Sequence, residues 1–104
     1  NFAGSGSWGP WITTADEIKD PATMSVTTHL NGQQMQRTTA DQMIYSIAAQ
    51  ISYASHLYNL HPGDIIATGS PDGTGGSRTP ERYLQEGDRL QIAVSGIGSL
   101  QNNI

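Results

Sequence analysis

The side chains that could do chemistry here are small hydroxyls, three histidines and nine carboxylates. What matters is whether any are spaced to act together. Ser70 and Ser77 lie in a Gly-rich stretch where a nucleophile could be presented. A nucleophile elbow needs Gly-x-Ser-x-Gly, however, and Gly75-Gly76-Ser77-Arg78-Thr79 lacks the final glycine. A serine also needs a base within hydrogen-bond reach. His29, His56 and His61 are the available bases, and no triad pattern ties any of them to either serine. His56 and His61 stand five apart across an expected helix end, which is not metal-ligand spacing, and there is no E-x-E, D-x-D or H-x-x-E arrangement. Asp16 and Glu17 fit the first turn of a helix, where the dipole favours them. Asp64 and Asp88 fit turns that begin strands, where Asp bonds nearby amides. All four read as structural. No catalytic and no metal-ligating residue is assigned within the chain.

Two loops remain as candidates for anion binding. Gly4-Ser5-Gly6-Ser7-Trp8-Gly9 formally matches G-x-G-x-x-G, but that fingerprint must follow a strand and open a helix. Here it runs into Pro10-Trp11, and about twenty residues further on stands His29, not an acid. It reads as a loop. Thr68-Gly69-Ser70-Pro71-Asp72-Gly73 is the stronger case. Amides exposed at the end of a strand, beside a small hydroxyl, suit a ligand carboxylate or oxyanion. An ordinary Gly-rich turn is the competing reading.

The elements that would position this loop follow from periodicity. Residues 1–10 read as a loop, with Trp11-Ile12 starting a short strand. Thr14-Ala15-Asp16-Glu17 fits a capping box on a helix that Pro21 ends. From Met24 to Leu30 apolar and polar residues alternate, with Met24, Val26 and Leu30 on one face, and Asn31-Gly32 follows at once. Both turn residues tolerate positive φ, so a hairpin returning through Gln33 to Thr38 is expected. Thr39-Ala40-Asp41-Gln42 is a second capping box, taken to open one long helix ending near Asn59. Its stripe of Met43, Ile44, Ile47, Ala48, Ile51, Ala54 and Leu57 reads as core. Asp64 to Thr68 is a short apolar run consistent with a buried strand that empties into the loop of residues 69–80. Arg89 to Ser95 alternates again, with Leu90, Ile92 and Val94 inward, and Gly96 and Gly98 break it before a short tail. Leu60 to Ile66 echoes Leu84 to Leu90, one turn type used twice.

Bulk properties narrow the function classes. At 104 residues the chain fits one domain or part of one, and a chain of this length should bury roughly two-thirds of its unfolded surface. Charged residues are 13% of the total, against about 25% in an average soluble domain, so either the surface is neutral or other polypeptide covers part of it. With a net charge of −4 and scattered basic residues, there is no stripe to displace counterions from nucleic-acid phosphates. Without cysteine there are no disulfides or thiolate zinc sites. No apolar run approaches the roughly 20 residues that span a bilayer, so the default expectation is a cytoplasmic protein with no membrane partner. The chain begins at Asn1 rather than Met, which suggests a cut or boundary.

Taken together, these stretches resemble the fumarylacetoacetate hydrolase family. Gly9-Pro10-Trp11-Ile12-Thr13-Thr14-Ala15-Asp16-Glu17-Ile18 is similar to its GPW…T-x-DEI segment. Asn31-Gly32, Gln36 and Asp41-Gln42-Met43-Ile44 are similar to its NG…Q…MI stretch. Pro62-Gly63-Asp64-Ile65-Ile66-Ala67-Thr68-Gly69-Ser70-Pro71-Asp72-Gly73 matches the run PGD-x-I-x-TG[TS]P-x-G. Tyr83-Leu84, Gly87-Asp88 and Gly96-Ile97-Gly98-Ser99-Leu100 resemble its closing motif. Ala40 departs from a frequent Thr. The family's E-x-E pair and Asp, which hold a divalent metal, lie before the matched region. Its catalytic Lys would fall just before Asn1 if Asn1-Phe2 replaces the family's Ser-Phe.

The resemblance implies an α+β fold, mixed and β-roll or barrel-like, with one long packed helix. It also implies that residues 1–104 are the C-terminal portion of a single catalytic domain, incomplete here. The expected function is cleavage of a C–C bond in acylpyruvate or β-diketo acids, in aromatic or sugar-acid catabolism. Mg²⁺ or Mn²⁺ would be held by residues upstream. Alternatives are an isomerase or decarboxylase of 2-hydroxy-dienoates, of the 2-hydroxyhepta-2,4-diene-1,7-dioate type, or a non-catalytic binding module. Expected partners are a small 2-oxo acid, the remainder of the same chain and a second copy in a homodimer. Only Gly69 and Ser70 match positions where the family contacts substrate.

Overall fold

A computed structural model describes residues 3–104; the expected Asn1-Phe2 match lies outside them. Its centre is a four-stranded, open, antiparallel sheet in the order β2-β1-β3-β4, built from β1 (Ser25–Leu30), β2 (Gln33–Thr39), β3 (Arg89–Val94) and β4 (Gly98–Asn103). The one α-helix, α1, spans Ile47–Leu57, so the α+β class holds. The first hairpin forms because Asn31 and Gly32 take φ of +53° and +83°, the left-handed values a tight turn requires. Leu90, Ile92 and Val94 of β3 pair with Leu30, Thr28 and Val26 of β1. They share a face with Leu100, which pairs with Ile92. Leu30 and Thr28 at its centre are buried. Trp11 lies along this face, its Nε1–H donating to the Ile97 carbonyl at 3.0 Å. The expected tail is in fact β4: the Gly96 and Gly98 breaks make a turn, and Leu100 resumes the alternation.

β2 carries a feature that alternation alone does not announce. Thr28 pairs with Gln36 and His29 with Gln34, so Met35 has no partner across the ladder. This is a β-bulge, one extra residue that locally disrupts the ladder and bends the strand.

Four expected elements differ. Thr39 does not open the long helix. It still pairs with Ser25, and the Ala40 amide bonds the Met24 carbonyl at 2.9 Å, so the chain stays tied to the sheet. Only a 3₁₀ turn forms at Ala40–Gln42 before Met43 becomes extended. Ser46 is the true cap, its hydroxyl accepting from the Ala49 amide at 3.2 Å. Thr14 likewise leads into a single 3₁₀ turn, Ala15–Glu17. Pro21 opens a second turn, capped by Asp20. The stripe read as core is not buried: no residue of α1 is, and Ile44 is 93% exposed, because no second layer in these residues lies over it. For the same reason 64–68 pairs with no strand and Ile65 is 72% exposed; Trp11-Ile12 is not a strand either.

Candidate functional site

The loop of residues 68–73 leaves the unpaired 64–68 segment through Gly69, whose φ is +112°. A side chain at that φ would be strained, so glycine lets the chain turn and leave its amides outward. Gly69 and Ser70 are both exposed. Among the described residues, neither of their amides nor the Ser70 hydroxyl has a hydrogen-bond partner. Three donors are therefore free within two adjacent residues.

The rest of the loop is held from below. Gln36 Nε2 on β2 donates to the Pro71 carbonyl at 2.9 Å. Gln50 Nε2 on α1 donates to the Tyr45 carbonyl at 2.9 Å and reaches the Thr68 carbonyl at 3.4 Å. Arg78 donates from Nε to the Gly73 carbonyl at 3.2 Å and from Nη2 to the Met35 carbonyl at 2.6 Å. Sequence reasoning assigned no role to Gln36, Gln50 or Arg78. The available signal was a single arginine inside a loop otherwise made of Gly, Ser, Thr, Pro and one Asp.

The other candidates are not brought together. His29 lies in β1 opposite Gln34 and Gln91. His56 Nδ1 sits 2.7 Å from the Ser52 carbonyl on its own helix. The His61 backbone amide donates to Asp64 at 2.7 Å, closing the Pro-Gly-Asp turn. The Ser77 hydroxyl is used locally, donating to the Thr74 carbonyl at 2.8 Å. The Gly4–Gly9 loop opens no helix.

Asp88 is buried at 6% exposure and heavily partnered. It accepts from Asn31 Nδ2 at 2.8 Å, from Arg82 Nη2 at 2.7 Å and from the Gln85 amide at 2.8 Å. The Asn31 amide first, then the Arg82 guanidinium and the Gln85 amide, hold its carboxyl below the ordinary carboxylate range, against a smaller opposing push from burial. Asn31 also accepts from the Arg89 amide at 2.8 Å, so this cluster locks the first hairpin to the start of β3. Asp16 is held below its ordinary value chiefly by the Thr14 hydroxyl. Among the described residues no three His, Asp or Glu side chains converge.

A family model described as fumarylacetoacetate hydrolase, C-terminal, matches residues 1–104. A 2,4-didehydro-3-deoxy-L-rhamnonate hydrolase from Sphingomonas sp. is 35% identical over 97 residues, covering 92% of this chain and 34% of that protein. Among solved structures, a fumarylacetoacetate hydrolase from Exiguobacterium antarcticum superposes with a TM-score of 0.89 at 38% identity, over 93% of this chain and 35% of that one. A maleylpyruvate hydrolase from Sphingobium sp. SYK-6, in complex with manganese(II) and pyruvate, superposes at 0.83 with 37% identity, over 91% and 33%. The chain thus spans about a third of the length of the relatives it matches.

Proposed function

The chain belongs to the fumarylacetoacetate hydrolase family, and from that membership we propose that it supplies the carboxylate-binding wall of a hydrolase that cleaves a C–C bond in an acylpyruvate. The observation that carries this reading is the turn at Gly69-Ser70, with three donors free and side by side. A 2-oxo carboxylate needs such donors. When water attacks the acyl carbonyl, the C–C bond breaks toward the pyruvate unit, which leaves as its enolate and is protonated at C3. Donors fixed on the neighbouring carboxylate hold that unit in place as charge develops. A charge-assisted hydrogen bond of this kind is worth about 1.5–3 kcal/mol.

The full-length enzyme would use Mg²⁺ or Mn²⁺, and the maleylpyruvate hydrolase bound to manganese and pyruvate supports that reading. We assign the metal's ligands to the rest of the protein, by the family resemblance, and to this stretch the recognition of substrate. Isomerisation or decarboxylation of a 2-hydroxy-dienoate would use the same carboxylate contact, so the loop alone fits either. The same reading makes the full-length protein a cytoplasmic homodimer in which this stretch is the C-terminal portion of one catalytic domain. Assaying the full-length protein with Mn²⁺ on an acylpyruvate tests it: release of pyruvate is expected. Tight binding without turnover would instead support a non-catalytic module.

A further inference from the structure

We propose that Arg78, with Gln36, is a positioning residue that fixes the Gly69-Ser70 turn against the bulge of β2. The inference rests on the reading of that turn as a carboxylate site. The bulge leaves Met35 without a cross-strand partner, and its carbonyl is taken by Arg78 Nη2 at 2.6 Å. The same guanidinium reaches the Gly73 carbonyl through Nε at 3.2 Å. One planar fork therefore joins strand and loop. Gly73 lies so close to β2 that a Cβ there would fall 2.6 Å from the Met35 carbonyl oxygen. Two residues earlier, Gln36 holds the Pro71 carbonyl at 2.9 Å. The chain on the C-terminal side of Ser70 is thus tied at two consecutive odd positions to β2, where Gln36 pairs with the buried Thr28.

Arg78 has no carboxylate partner among the described residues; the contacts described for its guanidinium are backbone carbonyls. That use requires diverging donors in one plane, which arginine has and lysine lacks. Bulges are over-represented beside active sites, where they re-aim neighbouring groups. Here the bulge turns a strand carbonyl toward the arginine that holds the loop.

The test uses the full-length protein loaded with Mn²⁺ and takes pyruvate as the probe. Calorimetry measures pyruvate and Mn²⁺ affinity for wild type, Ser70→Ala, Arg78→Lys, Arg78→Ala and Gln36→Leu, with the unfolding temperature of each. A misplaced turn should cost on the order of 10- to 100-fold in pyruvate affinity. Arg78→Lys and Gln36→Leu should show that loss with Mn²⁺ affinity unchanged, and added guanidinium ion should restore part of it to Arg78→Ala. If Ser70→Ala loses pyruvate affinity while Arg78→Lys and Gln36→Leu keep it, the positioning role is overturned and the carboxylate site stands. A fall in unfolding temperature with pyruvate affinity intact overturns it equally, leaving a structural clamp. If wild type and Ser70→Ala bind pyruvate alike, the carboxylate site itself fails, and this inference with it.

Discussion

The Asp88 carboxylate accepts from Asn31, Arg82 and the Gln85 amide, and these partners hold its pKa below the ordinary value. A group depressed in this way stabilises the fold fully above its unfolded pKa, about 3.9. That contribution is lost as the pH falls through the lower folded value. Denaturant unfolding of the full-length protein should therefore show Asp88→Asn less stable than wild type at pH 7, with the gap shrinking below about pH 4. A gap independent of pH would contradict the account. Gly98 makes a second residue-scale prediction. Its φ is +140°, and a Cβ would lie 2.4 Å from the Trp11 ring. Gly98→Ala should cost roughly 1–3 kcal/mol and shift tryptophan fluorescence as Trp11 is displaced; an unchanged spectrum and stability would count against the contact. Legibility at this scale was uneven. Asn31-Gly32 announced its turn because only permissive residues fit it, and Asp88 was read as structural from its place before a strand. The roles of Arg78, Gln36 and Gln50 depend on carbonyls brought together by the fold across gaps of 18 to 43 residues, which local spacing does not encode.

Among the elements, alternation identified β1 and β3, and the Asn31-Gly32 turn identified β2 as the strand that returns from β1. Alternation missed β4, where Gly96 and Gly98 look like an ending although Leu100 continues the pattern. It also missed the bulge, since one extra residue at Met35 only shifts the phase of a short strand. Two capping boxes were legible as sequence, yet each produced a 3₁₀ turn; at the second, the cap would start a helix only if the chain were free of the sheet. Thr39 is not free: it pairs with Ser25. Ser46→Ala should therefore cost about 1 kcal/mol of local helix stability, read as faster amide exchange across 47–57. Thr39→Val should leave that exchange unchanged; the opposite ranking would show that the helix begins at Thr39 after all.

For the whole molecule, the sequence suggested a core that these residues do not build alone. A compact protein of 11.1 kDa should expose about 5,700 Å², whereas this one exposes 8309 Å². Its radius of gyration is 15.2 Å, against about 13 Å for a compact domain of this length. Leu30 is the only buried apolar side chain among the described residues, while Ile44, Tyr53 and Ile65 lie open. Periodicity identified those faces as apolar but could not supply what covers them. If the rest of the full-length protein covers these faces, amides of 47–57 and 64–68 should exchange more slowly there than in the 104-residue piece. Equal rates would show that it does not. The most direct measurement of all concerns Ser70. With the full-length protein assayed on an acylpyruvate, Ser70→Ala should lower kcat/KM by about 10- to 150-fold, the equivalent of 1.5–3 kcal/mol. An unchanged kcat/KM would contradict the claim that this loop binds the substrate carboxylate.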